Sequence, residues 1–160
     1  MAARSATATV KVPKIAGLRV PLGSCLVLHK AERTFWEKST ILHAAAFREP
    51  LAVPPLRYSR HYYDLAMMAE DEPTRAAALG DLDLLRSVAE FKQKFYFCAG
   101  ARYDLAKPGT FRLLPPAHAQ KSLAEDYGEM QVMLFGDVPA FDKILDKLGR
   151  LEKAINRMVP

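Results

Sequence analysis

Proline and glycine punctuate this chain at intervals that suit helices. Pro50, Pro54, Pro55, Pro73, Gly80, Gly100, Pro108, Gly109, Pro115, Pro116, Gly136 and Pro139 each favour a break in helical backbone. Proline lacks an amide hydrogen and clashes with the preceding turn, and glycine takes reversed conformations without strain. Between the breaks, apolar residues recur every three or four positions, the period of one helix face. Leu85, Val88, Phe91 and Phe95 form such a stripe between Leu82 and about Cys98. Leu123, Tyr127, Met130 and Leu134 do so from about His118 to Phe135, and Phe141, Ile144, Leu145, Leu148, Leu151 and Ile155 from Pro139 to about Met158. The pattern predicts a mainly α (α+β) fold, a bundle-like set of helices with one or two short strands near 20–28 and 110–114.

Two earlier helices are read from their start signals. One spans about Glu32 to Ala46, where Thr34 and Glu37 have the spacing of a capping box. Its apolar residues Phe35, Ile41, Leu42 and Ala45 fall near one face. The other spans Arg60 to about Glu70, with Ser59 as its cap. Thr74 to Leu79 reads as a short helical turn, and Asp81 as the cap of the next helix.

A chain of 160 residues is long enough to bury a continuous core. No apolar run approaches a membrane span. The net charge of +5 is concentrated at the beginning: five of the 23 basic residues precede Glu32, the first acid, and the remaining 18 are matched by 18 acids. A high pI therefore does not by itself imply a nucleic-acid-binding face. Residues 1–17 lack a steady period and read as a disordered basic leader, with 18–160 as one mostly helical domain. Cys25 and Cys98 read as buried thiols of a reducing, cytoplasmic compartment.

No phosphate-binding glycine loop, nucleophile elbow or paired-histidine zinc motif is present. The chemically loaded stretches are Ala31 to His43, AERTFWEKSTILH, and Arg57 to Met68, RYSRHYYDLAMM. Arg60, His61 and Asp64 can share one helix face, being three or four residues apart. Lys38 and Asp64, each on a helix start folded back by the proline loop, can bind phosphate and orient or activate a hydroxyl. The alternative is an interhelical salt bridge networked with Glu37 and Arg60. His61 and Asp64 supply two metal ligands at most, so no metal site is assigned. Trp36, Tyr62 and Tyr63 read first as core aromatics, and stack on a base only if they line a cleft.

The blocks Glu32 to Lys38, Ser59 to Leu65, Tyr103 to Pro115 and Asp126 to Met130 together resemble the AbiEii/AbiGii nucleotidyltransferase toxins of bacterial abortive-infection and toxin–antitoxin systems. The resemblance runs from about Val27 to Asn156. It implies a cytoplasmic phage-defence enzyme that transfers a nucleotide from an NTP, with Mg2+, to a tRNA, another RNA or a protein, and that a cognate antitoxin neutralises. It implies that Lys38 contacts the triphosphate and that Asp64 is catalytic, orienting or deprotonating the acceptor; with Lys38 and Asp64 as the catalytic pair, Arg33, Glu37, Arg60 and His61 beside them are the candidate nucleotide-binding residues. In that family a Gly-Ser motif is followed by metal-holding acids. Here Gly23-Ser24 is followed by CLVLHKAERTF, with Glu32 as the one acid before Glu37. The expectation is a C-terminal portion of such a protein, partial or truncated and inactive alone. The runner-up is a non-catalytic module that binds an antitoxin, RNA or itself.

Overall fold

The computed structural model describes residues 31–49, 55–96, 98, 100–134 and 136–158. The leader at 1–17, the strand near 20–28 and Cys25 lie outside the described residues. The rest is helical: α1 (Ala31–Ala46), α2 (Arg60–Glu70), α3 (Glu72–Leu79), α4 (Leu82–Phe95), α5 (Ala117–Met130) and α6 (Phe141–Asn156), with short 3-10 turns at Tyr103–Leu105 and Gln131–Met133. No strand occurs among the described residues.

Helix α1 is central, packed by α2, α3 and α4, while α6 lies against α2. Burial around α1 follows from its sequence: Phe35, Trp36 and Leu42 are fully enclosed. Its two buried hydroxyls cause no break, because Ser39 donates to the Phe35 carbonyl at 2.8 Å and Thr40 to that of Trp36 at 2.8 Å. The Trp36 indole donates to the Ala78 carbonyl at 3.1 Å, fixing α3 to α1. Phe141, Ile144, Leu148, Leu151 and Ile155 are buried on α6, at the alternating three- and four-residue spacing of its stripe. On its polar side Lys147 reaches Glu70 of α2 at 2.6 Å.

Asp81 and Asp71 cap α4 and α3, their carboxylates accepting from Leu84 N at 2.9 Å and Thr74 N at 3.1 Å. Other local expectations give way. Thr34 and Glu37 do not form a capping box: α1 already begins at Ala31, and the Glu37 carboxylate takes the Arg33 Nε at 3.0 Å. Helix α4 stops at Phe95 rather than Cys98, as Tyr96 adopts φ −125° and ψ 47°. Its stripe is buried only in part, since Leu85 and Val88 are enclosed while Phe91 and Phe95 are 43% and 62% exposed. Cys98 is also exposed, contrary to expectation. Helix α5 tightens after Met130, where Gln131 N bonds to the carbonyls of both Gly128 and Tyr127.

The strand expected at 110–114 is the most instructive miss. This segment leaves helical conformation, but its partner is a helix. Asn156 of α6 accepts from Phe111 N at 2.9 Å and donates to Phe111 O at 2.9 Å. One turn earlier, Glu152 Oε2 accepts from Leu113 N at 2.5 Å and Leu114 N at 3.2 Å. Side chains four residues apart thus do for this segment what a neighbouring strand would do.

His43, buried on α1, fills the same corner. Its Nε2 meets the Arg102 carbonyl at 2.9 Å and its Nδ1 accepts from Arg112 N at 3.1 Å. A carbonyl only accepts and an amide only donates, so the ring is neutral with its proton on Nε2. Burial lowers its pKa below the ordinary histidine value, more than the Arg102 carbonyl and Asp104 raise it.

Candidate functional site

Packing α2 on α1 brings together the two polar stretches singled out above. Lys38 Nζ donates to Asp64 Oδ2 at 2.5 Å, and lies 3.4 Å from His61 Nδ1. The three-residue step from His61 to Asp64 puts both on the face of α2 that meets Lys38. The Lys38 and Asp64 side chains remain 23% and 39% exposed, so the contact is open to solvent. An ammonium has no lone pair to offer, so Nδ1 is the acceptor and a neutral His61 keeps its proton on Nε2. Its pKa is pushed down to about 4, by burial first and then by Lys38 and Arg60, with Asp64 opposing.

A third helix contributes a group that the sequence reading missed. Lys92 of α4 donates from Nζ to the Glu37 carbonyl at 2.7 Å, beside Lys38. Burial is the main reason that its pKa falls to about 8; Glu37 opposes the shift and Lys38 adds to it. Nothing local marks Lys92, one of two lysines on a helix whose visible signal is its apolar stripe.

The start of α2 is held from a distance. Ser59 is buried but does not cap: its backbone is itself helical (φ −58°, ψ −23°) and its hydroxyl makes no cap bond. The Asp126 carboxylate on α5 instead accepts from Arg57 N at 2.5 Å and Ser59 N at 2.8 Å. Arg57 makes this possible by taking a left-handed φ of 59°. Burial of Asp126 opposes its ionisation. The hydrogen bonds from Ser59 and Arg57 outweigh that, and its pKa lies below the ordinary carboxylate value.

Of the residues singled out from sequence, Lys38, His61 and Asp64 converge. Arg33 and Glu37 pair with each other at 3.0 Å. Arg60 is exposed and forms no ion pair among the described residues, although it is four positions from Asp64. Trp36 and Tyr62 are fully buried, so they are core residues and not a base-stacking platform. A cavity of about 780 Å3 beside α4 is lined by Asp81, Arg86, Glu90 and Tyr103 among others, but by none of the converging residues.

The arrangement favours an anion over a metal. Among the described residues no three or more His, Cys, Asp or Glu side chains cluster as metal ligands. Asp64 already neutralises an ammonium. A phosphate-bound magnesium ion needs carboxylate oxygens, and the described residues do not fit one. The ammonium of Lys38 is of the kind that suits phosphate oxygens instead.

A family model described as the nucleotidyl transferase AbiEii toxin of a type IV toxin–antitoxin system matches residues 26–147. The chain belongs to the AbiEii family. Neither a curated protein nor a solved structure matches it. The match takes in every converging side chain of this AbiEii protein and the Asp126 clamp, while Glu152 and Asn156 lie beyond it. No helix among the described residues is long and apolar enough to cross a membrane.

Proposed function

We propose that this AbiEii chain provides the triphosphate- and acceptor-facing groups of a nucleotidyl transferase toxin. The observation that carries this reading is the solvent-open contact between Lys38 and Asp64. In the transfer, the acceptor hydroxyl oxygen bonds to the α-phosphorus of an NTP. The bond from that phosphorus to the bridging oxygen breaks, and pyrophosphate leaves with its electron pair. Asp64 orients the hydroxyl and takes its proton. At rest the carboxylate is tied to Lys38. A triphosphate competes for that ammonium, and its arrival frees Asp64 to act. Arg33, Glu37, Arg60 and His61 surround the nucleotide, with His61 neutral and able to donate from Nε2.

The acceptor is an RNA, such as a tRNA, or a protein, and the restraining partner is a cognate antitoxin in a cytoplasmic phage-defence system. The metal-holding carboxylates belong outside residues 31–158, so these residues alone do not turn over.

The test is calorimetric titration of the purified 160-residue chain with ATP, beside a labelled-NTP incorporation assay on tRNA. Lys38→Met should abolish ATP binding, whereas Asp64→Asn should preserve or tighten it by releasing Lys38. Equal binding by wild type and Lys38→Met would sink the reading. Incorporation by the isolated chain, lost on Asp64→Asn, would overturn the inactivity but keep the assigned role.

A second reading, a non-catalytic interaction module, is favoured by one observation. Phe91, Phe95 and Tyr96 form an exposed aromatic cluster at the end of α4, with the Phe91 ring centroid 4.9 Å from that of Phe95 and 5.9 Å from that of Tyr96. It predicts that Phe95→Asp changes self-association or partner binding while Lys38 and Asp64 variants are silent.

A further inference from the structure

The transfer chemistry leaves Lys92 without a part. Its ammonium has three hydrogens to donate, and among the described residues only the Glu37 carbonyl receives one, at 2.7 Å. No carboxylate lies within ion-pair distance of it there. The nearby acids face other cations: Glu37 holds Arg33, and Asp64 holds Lys38. Lys38 from α1, Arg60 from α2 and Lys92 from α4 therefore set up a positive potential that Asp64 opposes at Lys38 and Glu37 opposes only from beyond ion-pair distance of Lys92. His61 registers it, since all three cations lower its pKa, after burial.

A partly buried cation with no carboxylate in direct contact is costly for folding. The direct anionic contact that Lys92 lacks is what a phosphate oxygen supplies, and a compact ammonium is a good partner for one.

We propose that Lys92 is a further phosphate-binding residue of this site, gripping the triphosphate of an NTP from α4 while Lys38 grips it from α1. The identity of the anion rests on the nucleotidyl-transfer reading above. The alternative is that Lys92 only bonds α4 to α1, and the two differ in what its removal does. A structural lysine, once replaced by methionine, lowers stability and leaves anion affinity unchanged. A ligand lysine so replaced leaves stability level or higher and loses affinity.

The experiment titrates the full chain with inorganic tripolyphosphate, with ATP, and with single-stranded RNA bearing a 5′-hydroxyl. Thermal unfolding is recorded for each variant. Lys92→Met should weaken tripolyphosphate and ATP by about ten-fold or more, the range for a hydrogen bond to a charged group. Lys92→Arg should recover most of the loss. Lys94→Met, two residues along on the exposed side, should change affinity by less than about two-fold, as a screened surface charge does. If the methionine variant does not fold, Lys92→Gln, which keeps a donor for the Glu37 carbonyl, carries the comparison.

Unchanged tripolyphosphate affinity in Lys92→Met, with binding abolished in Lys38→Met, overturns the proposal and leaves the functional reading standing. Absence of wild-type binding to both tripolyphosphate and ATP overturns both. A loss confined to RNA makes the nucleic-acid backbone the source of phosphate and overturns the triphosphate assignment. Equal losses for Lys92→Met and Lys94→Met would mean diffuse attraction and no site at Lys92.

Discussion

Asn156→Ala removes both hydrogen bonds to Phe111, leaving its backbone N–H and C=O without their partner. Phe111 is 1% exposed, so water replaces them poorly. Each orphaned group costs about 1–3 kcal/mol, which gives about 2–5 kcal/mol for the pair once the somewhat better helix propensity of alanine is allowed for. The number is large for a polar residue near a helix end, where substitutions usually stay within about 0.5 kcal/mol. Urea unfolding followed by far-UV circular dichroism measures it. The expected result is a lower midpoint with an unchanged m-value, and near-wild-type behaviour for Arg157→Ala, the exposed neighbour. An Asn156→Ala variant within about 0.5 kcal/mol of wild type at the same m-value would refute the claim that a helix side chain stands in for a strand at residues 111–114.

Other expectations are separately checkable. The structure keeps His43 neutral, its pKa lowered chiefly by burial, so the unfolded chain binds the extra proton first. Stability should be full above about pH 6.5 and fall as acid is added below it; nitrogen NMR showing His43 titrating at the ordinary histidine value would contradict this. Leu148→Ala, at a fully enclosed position, should cost about 2–5 kcal/mol, against almost nothing for Val132→Ala, which is 90% exposed. Two glycines with open space around them should respond with opposite signs. Gly109→Ala, at φ +87°, should destabilise by about 1 kcal/mol, and Gly128→Ala, inside α5, should stabilise by up to about 1 kcal/mol; thermal melts that agree in sign would rule out backbone conformation as the cause. Asp126→Ala should speed hydrogen exchange at the Arg57 and Ser59 amides, and unchanged protection there would mean that the clamp does not hold them.

Helix positions were legible wherever the determinant was local. The stripes on α4 and α6 and the Asp81 cap depend on residues within a turn or two of one another. Sequence failed where a partner came from far along the chain. Ser59 satisfies the local rule for a cap, yet Asp126 does the capping, 67 residues away. Residues 110–114 read as a strand because they are apolar and follow a turn, and nothing within them announces Glu152 and Asn156. Phe91 and Phe95 keep the period of a core stripe although α4 outruns the elements that cover it. Lys38 and Asp64 were legible through spacing and family resemblance together. Lys92 was not, because its significance comes from meeting the α1 backbone, not from its neighbours in sequence.

The Asp126 clamp bears on the order in which the helices of this protein reach their final alignment. Helices α1 and α2 leave the ribosome well before α5, and synthesis adds about 5–20 residues per second. Through that interval the start of α2, which orients His61 and Asp64, lacks the carboxylate that fixes it. A nascent AbiEii chain therefore carries His61 and Asp64 early and acquires their alignment late. That delay separates the making of the α1–α2 contact from the fixing of its geometry.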